Sequence, residues 1–273
     1  MGYLSTDKKK ITSKTFVDMK QAGEKITMLT SYDFTTAGII DAAGIDGILI
    51  GDSASNVMAG NDDTIPITVD QMIYHARSVA RACKHCLVVC DMPFGTYTDE
   101  KMALHNASLV YSQTNAHAVK IEGGVSRAHI IKALTQNSIA VMGHIGLMPQ
   151  YVRSEGGYKV RGRSEEDILA LIEDAKAVEE AGAFSLVIEG VVEEAARRIS
   201  EAITIPTIGI GAGKYTDGQV LVWSDMLGFF QAFQPKFVKR YLEGATLVQN
   251  AVDAYVKEVQ ERSFPEAPYT YTK

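Results

Sequence analysis

A chain of 273 residues is long for one ordinary domain but normal for a single α/β barrel, and it can bury a large core. Apolar residues make up 46% and charged residues 22%, as in ordinary globular proteins. A net charge of −6 speaks against a nucleic-acid-binding face, no apolar run reaches the length of a membrane span, and the polar start with Lys8, Lys9 and Lys10 has no apolar signal-peptide core, so a cytoplasmic address is expected.

Residues 1–14 read as a solvated N-terminal arm. Short apolar runs then recur along the chain: Ile26–Thr30, Gly47–Ile50, Leu87–Cys90, Ala118–Ile121, Ile139–Met142, Ser185–Ile188, Pro206–Ile210 and a weaker Gln219–Trp223. Continuous apolar runs of this length fit parallel strands buried on both faces. Helical patterns lie between them. Val69–Ala82 starts behind Thr68, a good N-cap. Asp99–Asn115 puts Ala103, Ala107 and Val110 on one stripe. Ser164–Ala181 opens with acids suited to the positive end of the helix dipole, and Gly182 suits its C-terminal end. Val192–Ala202 and Phe237–Arg262 complete the set, and residues 264–273 read as a loose Pro/Tyr-rich tail.

Strands alternating with helices predict an α/β fold, a (β/α)8 TIM barrel forming a single domain over residues 1–273. An open doubly wound sheet is the runner-up, but no dinucleotide fingerprint follows the first strand. Two connections, Ser53–Pro66 and Gly146–Gly162, are long and should sit on the catalytic face as lid-like loops. Cys83, Cys86 and Cys90 are followed by no Cys/His pair at zinc-finger spacing, and they read as buried free thiols.

The strand ends carry the chemistry. They deliver Asp52 and Ser53, Asp91, Lys120 and Glu122, His144, and Glu189 to one rim, where barrel active sites sit. Alone, each has a bland reading: an Asp after a strand caps a helix or makes a turn, His144 can be a hydrogen-bonded structural histidine, and Lys120 or Glu189 can form an ion pair. Together, Asp52, Asp91 and Glu122 would repel one another unless a cation joined them. Oxygen-only ligands favour Mg2+, which keeps positions open for a 2-oxo acid. Lys120 and Glu122 are two apart and share one side of a strand. Gly209-Ile-Gly211-Ala-Gly213 reads as a close-approach loop, with phosphate binding the lesser alternative.

These stretches resemble ketopantoate hydroxymethyltransferases (3-methyl-2-oxobutanoate hydroxymethyltransferases). The matching segments are Thr30-Ser-Tyr-Asp33, Gly51-Asp-Ser53, Pro66-Ile-Thr68, Tyr74-His75, Asp91-Met-Pro-Phe94, Val119-Lys-Ile-Glu-Gly-Gly124, Gly143-His-Ile-Gly-Leu147 with Pro149-Gln150, Gly156-Gly-Tyr-Lys-Val160, Gly209-Ile-Gly-Ala-Gly213 with Thr216-Asp-Gly218, and Pro235-Lys-Phe237. They occur in order over nearly the whole chain.

The resemblance implies a phosphoenolpyruvate/pyruvate-type barrel that transfers a one-carbon unit from 5,10-methylenetetrahydrofolate to 3-methyl-2-oxobutanoate, giving 2-dehydropantoate for pantothenate biosynthesis. It also implies Mg2+ on Asp52, Asp91 and Glu122, the oxo acid on Asp52, Ser53, Asp91 and Lys120, Glu189 as the proton acceptor, and a homodecamer; His144, at the end of the fifth strand, is expected as a supporting group beside them. Ala54-Ser55-Asn56, Gly190-Val191-Val192 and Arg161 depart from the family pattern. The nearest alternative is a lyase or mutase of the same barrel superfamily acting on a 2-oxo acid. Such an enzyme would carry a catalytic Cys on a loop.

Overall fold

Eight parallel strands pair in chain order, and β1 meets β8 to close the ring. They are β1 Ile26–Thr30, β2 Gly47–Ile50, β3 Leu87–Asp91, β4 Ala118–Glu122, β5 Val141–Gly146, β6 Ser185–Glu189, β7 Thr207–Ile210 and β8 Gly218–Leu221. The structure, a computed structural model, describes residues 10–271. Residues 1–9 of the expected arm and 272–273 of the tail lie outside it. Among the described residues, no helix is long and apolar enough to cross a membrane.

Backbone packing divides the chain into two units, Met1–Val222 and Trp223–Lys273. In the first, helices α1 Ser13–Ala22, α2 Phe34–Ala42, α3 Ala54–Val57, α4 Val69–Ala82, α5 Glu100–Gln113, α6 Ala128–Gln136, α7 Val152–Glu155, α8 Glu165–Glu180 and α9 Glu193–Ala202 accompany the strands. Their starts follow from local chemistry. Thr68 and Gln71 form a reciprocal capping box on α4, and Asp99 and Ser164 cap α5 and α8. No helix lies between β7 and β8.

The inner floor of the barrel is apolar. Ile26, Met28, Leu49, Leu87, Val89, Ala118, Met142, Val187, Ile208 and Val220 pack there around Phe16 of α1, which is fully buried and meets Phe184 edge-on. The Thr12 capping box starts α1, so residues 13 and 14 of the expected arm are helical. Lys20 then fastens α1 by donating to the carbonyls of Ser200, Ile203 and Ile205 near the end of α9 and by pairing with Asp217 at 2.9 Å.

In the second unit, α10 Trp223–Met226 is followed by a non-helical stretch, and α11 runs from Gly244 to Gln260. The helix expected from Phe237 therefore starts later. Gly244 approaches the Leu227 carbonyl, and its amide donates to that oxygen at 2.8 Å, a contact that a side chain would obstruct. Gly244 is also the only residue that α11 buries. Leu247, Val248, Val252, Tyr255, Val256 and Val259 are exposed. In the tail, a short 3-10 turn spans Ala267–Tyr269.

Candidate active site

Strand alternation carries the apolar floor upward into a polar rim. Leu87 and Val89 face the barrel interior, so Asp91 at the top of β3 faces it too. The same parity runs from Ala118 to Lys120 and Glu122 on β4, from Met142 to His144 on β5, and from Val187 to Glu189 on β6. Register then pairs neighbours across strands: Asp91 with Lys120, Glu122 with His144, and Gly146 with Glu189. Asp52 lies one residue beyond β2, after Gly51, and its amide donates to Asp91 Oδ2 at 3.0 Å. Gly146 has a positive φ, and a Cβ there would overlap the Glu189 carbonyl oxygen, which accepts the Leu147 N–H at 2.8 Å. Asp52, Asp91, Lys120, Glu122 and His144 are all buried, and a fifth of the Glu189 side chain stays exposed.

Lys120 Nζ lies 2.9 Å from Asp91 Oδ1 and 3.1 Å from His144 Nδ1. An ammonium only donates, so Nδ1 is the acceptor and His144 carries its proton on Nε2. That nitrogen lies 3.1 Å from the Leu147 carbonyl and 3.4 Å from Glu189 Oε2. Burial first, and the Lys120 charge second, hold the imidazole well below its ordinary pKa and therefore neutral. The 3.6 Å approach of Nδ1 to Glu122 Oε1 is thus a contact without a shared proton.

Carboxylates outnumber cations here. Burial, then the Asp91 charge, pushes Asp52 up to about 7, and burial pushes Glu189 up to about 7 as well. Burial also drives Glu122 well above its usual range. Burial opposes the charge on Lys120, but Asp91, Glu122 and Asp52 outweigh it and raise its pKa. Asp52, Asp91, Glu122 and Glu189 facing one lysine is the imbalance a divalent cation would remove. The donor chemistry fits a hard cation: every ligand atom is an oxygen, and the buried Glu122 Oε1 accepts no hydrogen bond.

The three metal-ligand candidates do not close into one tight cage. Among the described residues, the only trio of Asp, Glu, His or Cys with ligand atoms all within 4.8 Å of one another is Asp41, Cys83 and Cys86. Gln150 bonds to both outer members of the acidic set. Its Nε2 donates to Asp52 Oδ2 at 2.9 Å and to the Met92 carbonyl at 3.0 Å, and its amide donates to Glu122 Oε2 at 3.1 Å. Tyr97 fixes the amide orientation by donating to Gln150 Oε1 at 2.5 Å.

Gln150 and Tyr97 have no role in a reading based on strand ends, because Gln150 lies in a short 3-10 turn, Pro149–Tyr151, and Tyr97 on a loop, and their own neighbours give no periodic signal. The one pointer to Gln150 is its place in the Pro149–Gln150 pair on the long connection after β5. Ser53 Oγ meets the Tyr32 hydroxyl at 2.8 Å, while His75 Nδ1 contacts the Tyr32 carbonyl at 2.7 Å. The two long rim loops are joined by Arg153 and Asp63 at 2.8 Å. The glycine loop after β7 packs on α9: Gly213 has a positive φ, and a Cβ there would strike Glu193.

Comparisons with known proteins agree with one another. The family model described as ketopantoate hydroxymethyltransferase matches residues 10–267. A 3-methyl-2-oxobutanoate hydroxymethyltransferase of Aliarcobacter butzleri is 57% identical over 91% of this chain and 92% of its own length. One from Nitratiruptor sp. is 54% identical over 97% of this chain and 100% of its own length. Among solved structures, a phosphonopyruvate hydrolase in complex with oxalate and Mg2+ superposes with a TM-score of 0.62 at 11% identity, covering 96% of this chain and 92% of that one. A phosphoenolpyruvate phosphomutase from Streptomyces platensis gives a TM-score of 0.60 at 15% identity, covering 90% of this chain and 88% of that one. At such identities the structural likeness concerns the barrel alone.

Proposed function

Because the chain belongs to the ketopantoate hydroxymethyltransferase family and has the activity that names it, we propose that it uses 5,10-methylenetetrahydrofolate as one-carbon donor and Mg2+ as metal, and yields 2-dehydropantoate. The observation that carries this reading is the buried rim, where Asp52, Asp91, Glu122 and Glu189 meet a single lysine.

Asp52 and Asp91 would hold the ion, with the free Glu122 Oε1 reaching it directly or through a water that Mg2+ retains. When bound, Mg2+ polarises the ketone of the oxo acid and stabilises negative charge beside it. Lys120 offsets charge on the substrate oxygens from a position fixed by Asp91 and His144. Ser53, held by Tyr32, orients the substrate carboxylate. Glu189 accepts the C3 proton of 3-methyl-2-oxobutanoate, the carbon so freed forms the new C–C bond to the methylene unit of the folate as one of its C–N bonds opens, and breakage of the second C–N bond with uptake of water leaves the hydroxymethyl group and tetrahydrofolate. The elevated pKa of Glu189, near 7, suits a base that must take and return a proton near neutrality. His144 Nε2–H faces Glu189 and keeps that carboxylate aimed. The assembly is a homodecamer in this reading, and the exposed apolar side chains of α11 support a partner subunit.

The test is Glu189→Gln with deuterium exchange at C3 of 3-methyl-2-oxobutanoate in the absence of folate. Exchange should slow by about a hundredfold or more. Exchange at the normal rate removes Glu189 as the base. Chelation followed by Mg2+ should switch 2-dehydropantoate formation off and on, and full activity after stripping would reject the metal.

A further inference from the structure

At the end of the barrel where the strands begin, away from the rim, Asp41 on α2 comes together with Cys83, which ends α4, and Cys86, which directly precedes β3. The cysteine spacing alone reads as inert free thiols, but it takes no account of Asp41, which the fold supplies from another helix. One carboxylate oxygen and both sulfurs all lie within 4.8 Å of one another. We propose that Asp41, Cys83 and Cys86 form a second metal site, suited to a borderline-soft divalent cation of the Zn2+ type.

Three observations support the assignment. The turn is already shaped: Asp41 Oδ1 accepts the amides of His85 and Cys86 at 3.1 and 2.9 Å, and Oδ2 accepts that of Lys84 at 2.9 Å. Two amides occupy Oδ1 and one occupies Oδ2; the Cys86 thiol also donates to Asp41, and when that proton leaves on metal binding the carboxylate keeps a lone pair for an ion. The spacing is also close to what is needed, since tetrahedral thiolate and carboxylate ligands sit roughly 3.3–3.8 Å apart. Finally, access is graded. Cys86 and Asp41 are buried while Cys83 is only partly covered, so an ion has a way in and a water can fill the fourth position.

A reactive dithiol fits less well. The Cys86 thiol is fully buried, and its proton is engaged by the hydrogen bonds with Cys83 and Asp41. A cation reverses this by replacing both thiol protons, which leave to solvent, with no change of oxidation state. Sulfur ligands also separate this site from the all-oxygen rim, which takes a harder ion. Bound there, the ion would tie α2, α4 and the start of β3 together, as a structural clamp.

The experiment uses the full chain, reduced, stripped with chelator and held in excess Mg2+ to occupy the rim, then titrated with Co2+. One equivalent should bind with sulfur-to-cobalt charge-transfer absorption in the near ultraviolet, Zn2+ should displace it, and Cys83→Ser and Cys86→Ser should both lack the band. Asp41→Asn should keep the band with at least tenfold weaker binding. Zn2+ at a hundredfold excess over Kd should raise Tm by about 5 °C in the unsubstituted protein and not in Cys83→Ser. Cys83 is partly exposed, so Cys83→Ser remains informative even if Cys86→Ser fails to fold. No band at saturating Co2+, or a band that survives in Cys83→Ser, overturns the site, and unchanged affinity in Asp41→Asn overturns the three-ligand assignment.

Discussion

Gln150 touches more of the rim than any of its acids does, although its own side chain is neutral. It bonds Asp52 and the Met92 carbonyl through Nε2, Glu122 through its amide, and receives Tyr97. Gln150→Leu strips Asp52 of a donor and leaves the Tyr97 hydroxyl without its acceptor. Mg2+ affinity, read by calorimetry, should fall by about ten- to a hundredfold. The acids were legible because each ends an apolar run, whereas Gln150 acquires its partners only when the loop after β5 folds back over the rim. His117 gives a second case. Its Nδ1 accepts the Val88 amide at 2.9 Å, which requires an unprotonated nitrogen. Burial first, and Lys10 second, lower its pKa from 6.5 to about 4. As pH falls through that window the unfolded chain takes up the proton first, so stability declines there. His117→Asn retains an acceptor and should flatten that decline, measured as urea midpoints across the same window.

At the scale of elements, α1 contributes what the sequence hides. The Lys-rich stretch before it reads as solvated, yet Phe16 reaches the centre of the barrel floor. Phe16→Ala should cost about 3–5 kcal/mol in chemical denaturation, because the closed ring cannot collapse into the space left behind. A much smaller loss would mean that α1 is a loose plug. Most strands were legible as continuous apolar runs, since both faces of a parallel barrel strand are covered. β5 was displaced: the expected Ile139–Met142 is in fact Val141–Gly146, because Gly143 and His144 interrupt the apolar pattern while their backbones still pair with β4 and β6. The final helix starts later than its apolar pattern predicts, since Phe237 and Tyr241 mimic a helical stripe before Gly244 begins it. The absence of a helix between β7 and β8 left no periodicity to find.

At the scale of the whole molecule, α11 places Val248, Val252, Tyr255, Val256 and Val259 at helical spacing and buries none of them. In the proposed decamer this stripe would lie at a seam between subunits. Val252→Glu with Tyr255→Glu should therefore lower the mass found by light scattering without changing the far-ultraviolet spectrum, and an unchanged mass would place the seam elsewhere. The alternation inside the barrel has its own consequence. On β3, β4, β5 and β6 a single parity seats the greasy floor and aims the rim groups, so removing one residue from any of these strands would turn its rim side chain outward and its neighbour inward together. Folding and turnover thus constrain the same quantity, strand length, and tolerated insertions or deletions should fall between strands rather than within them.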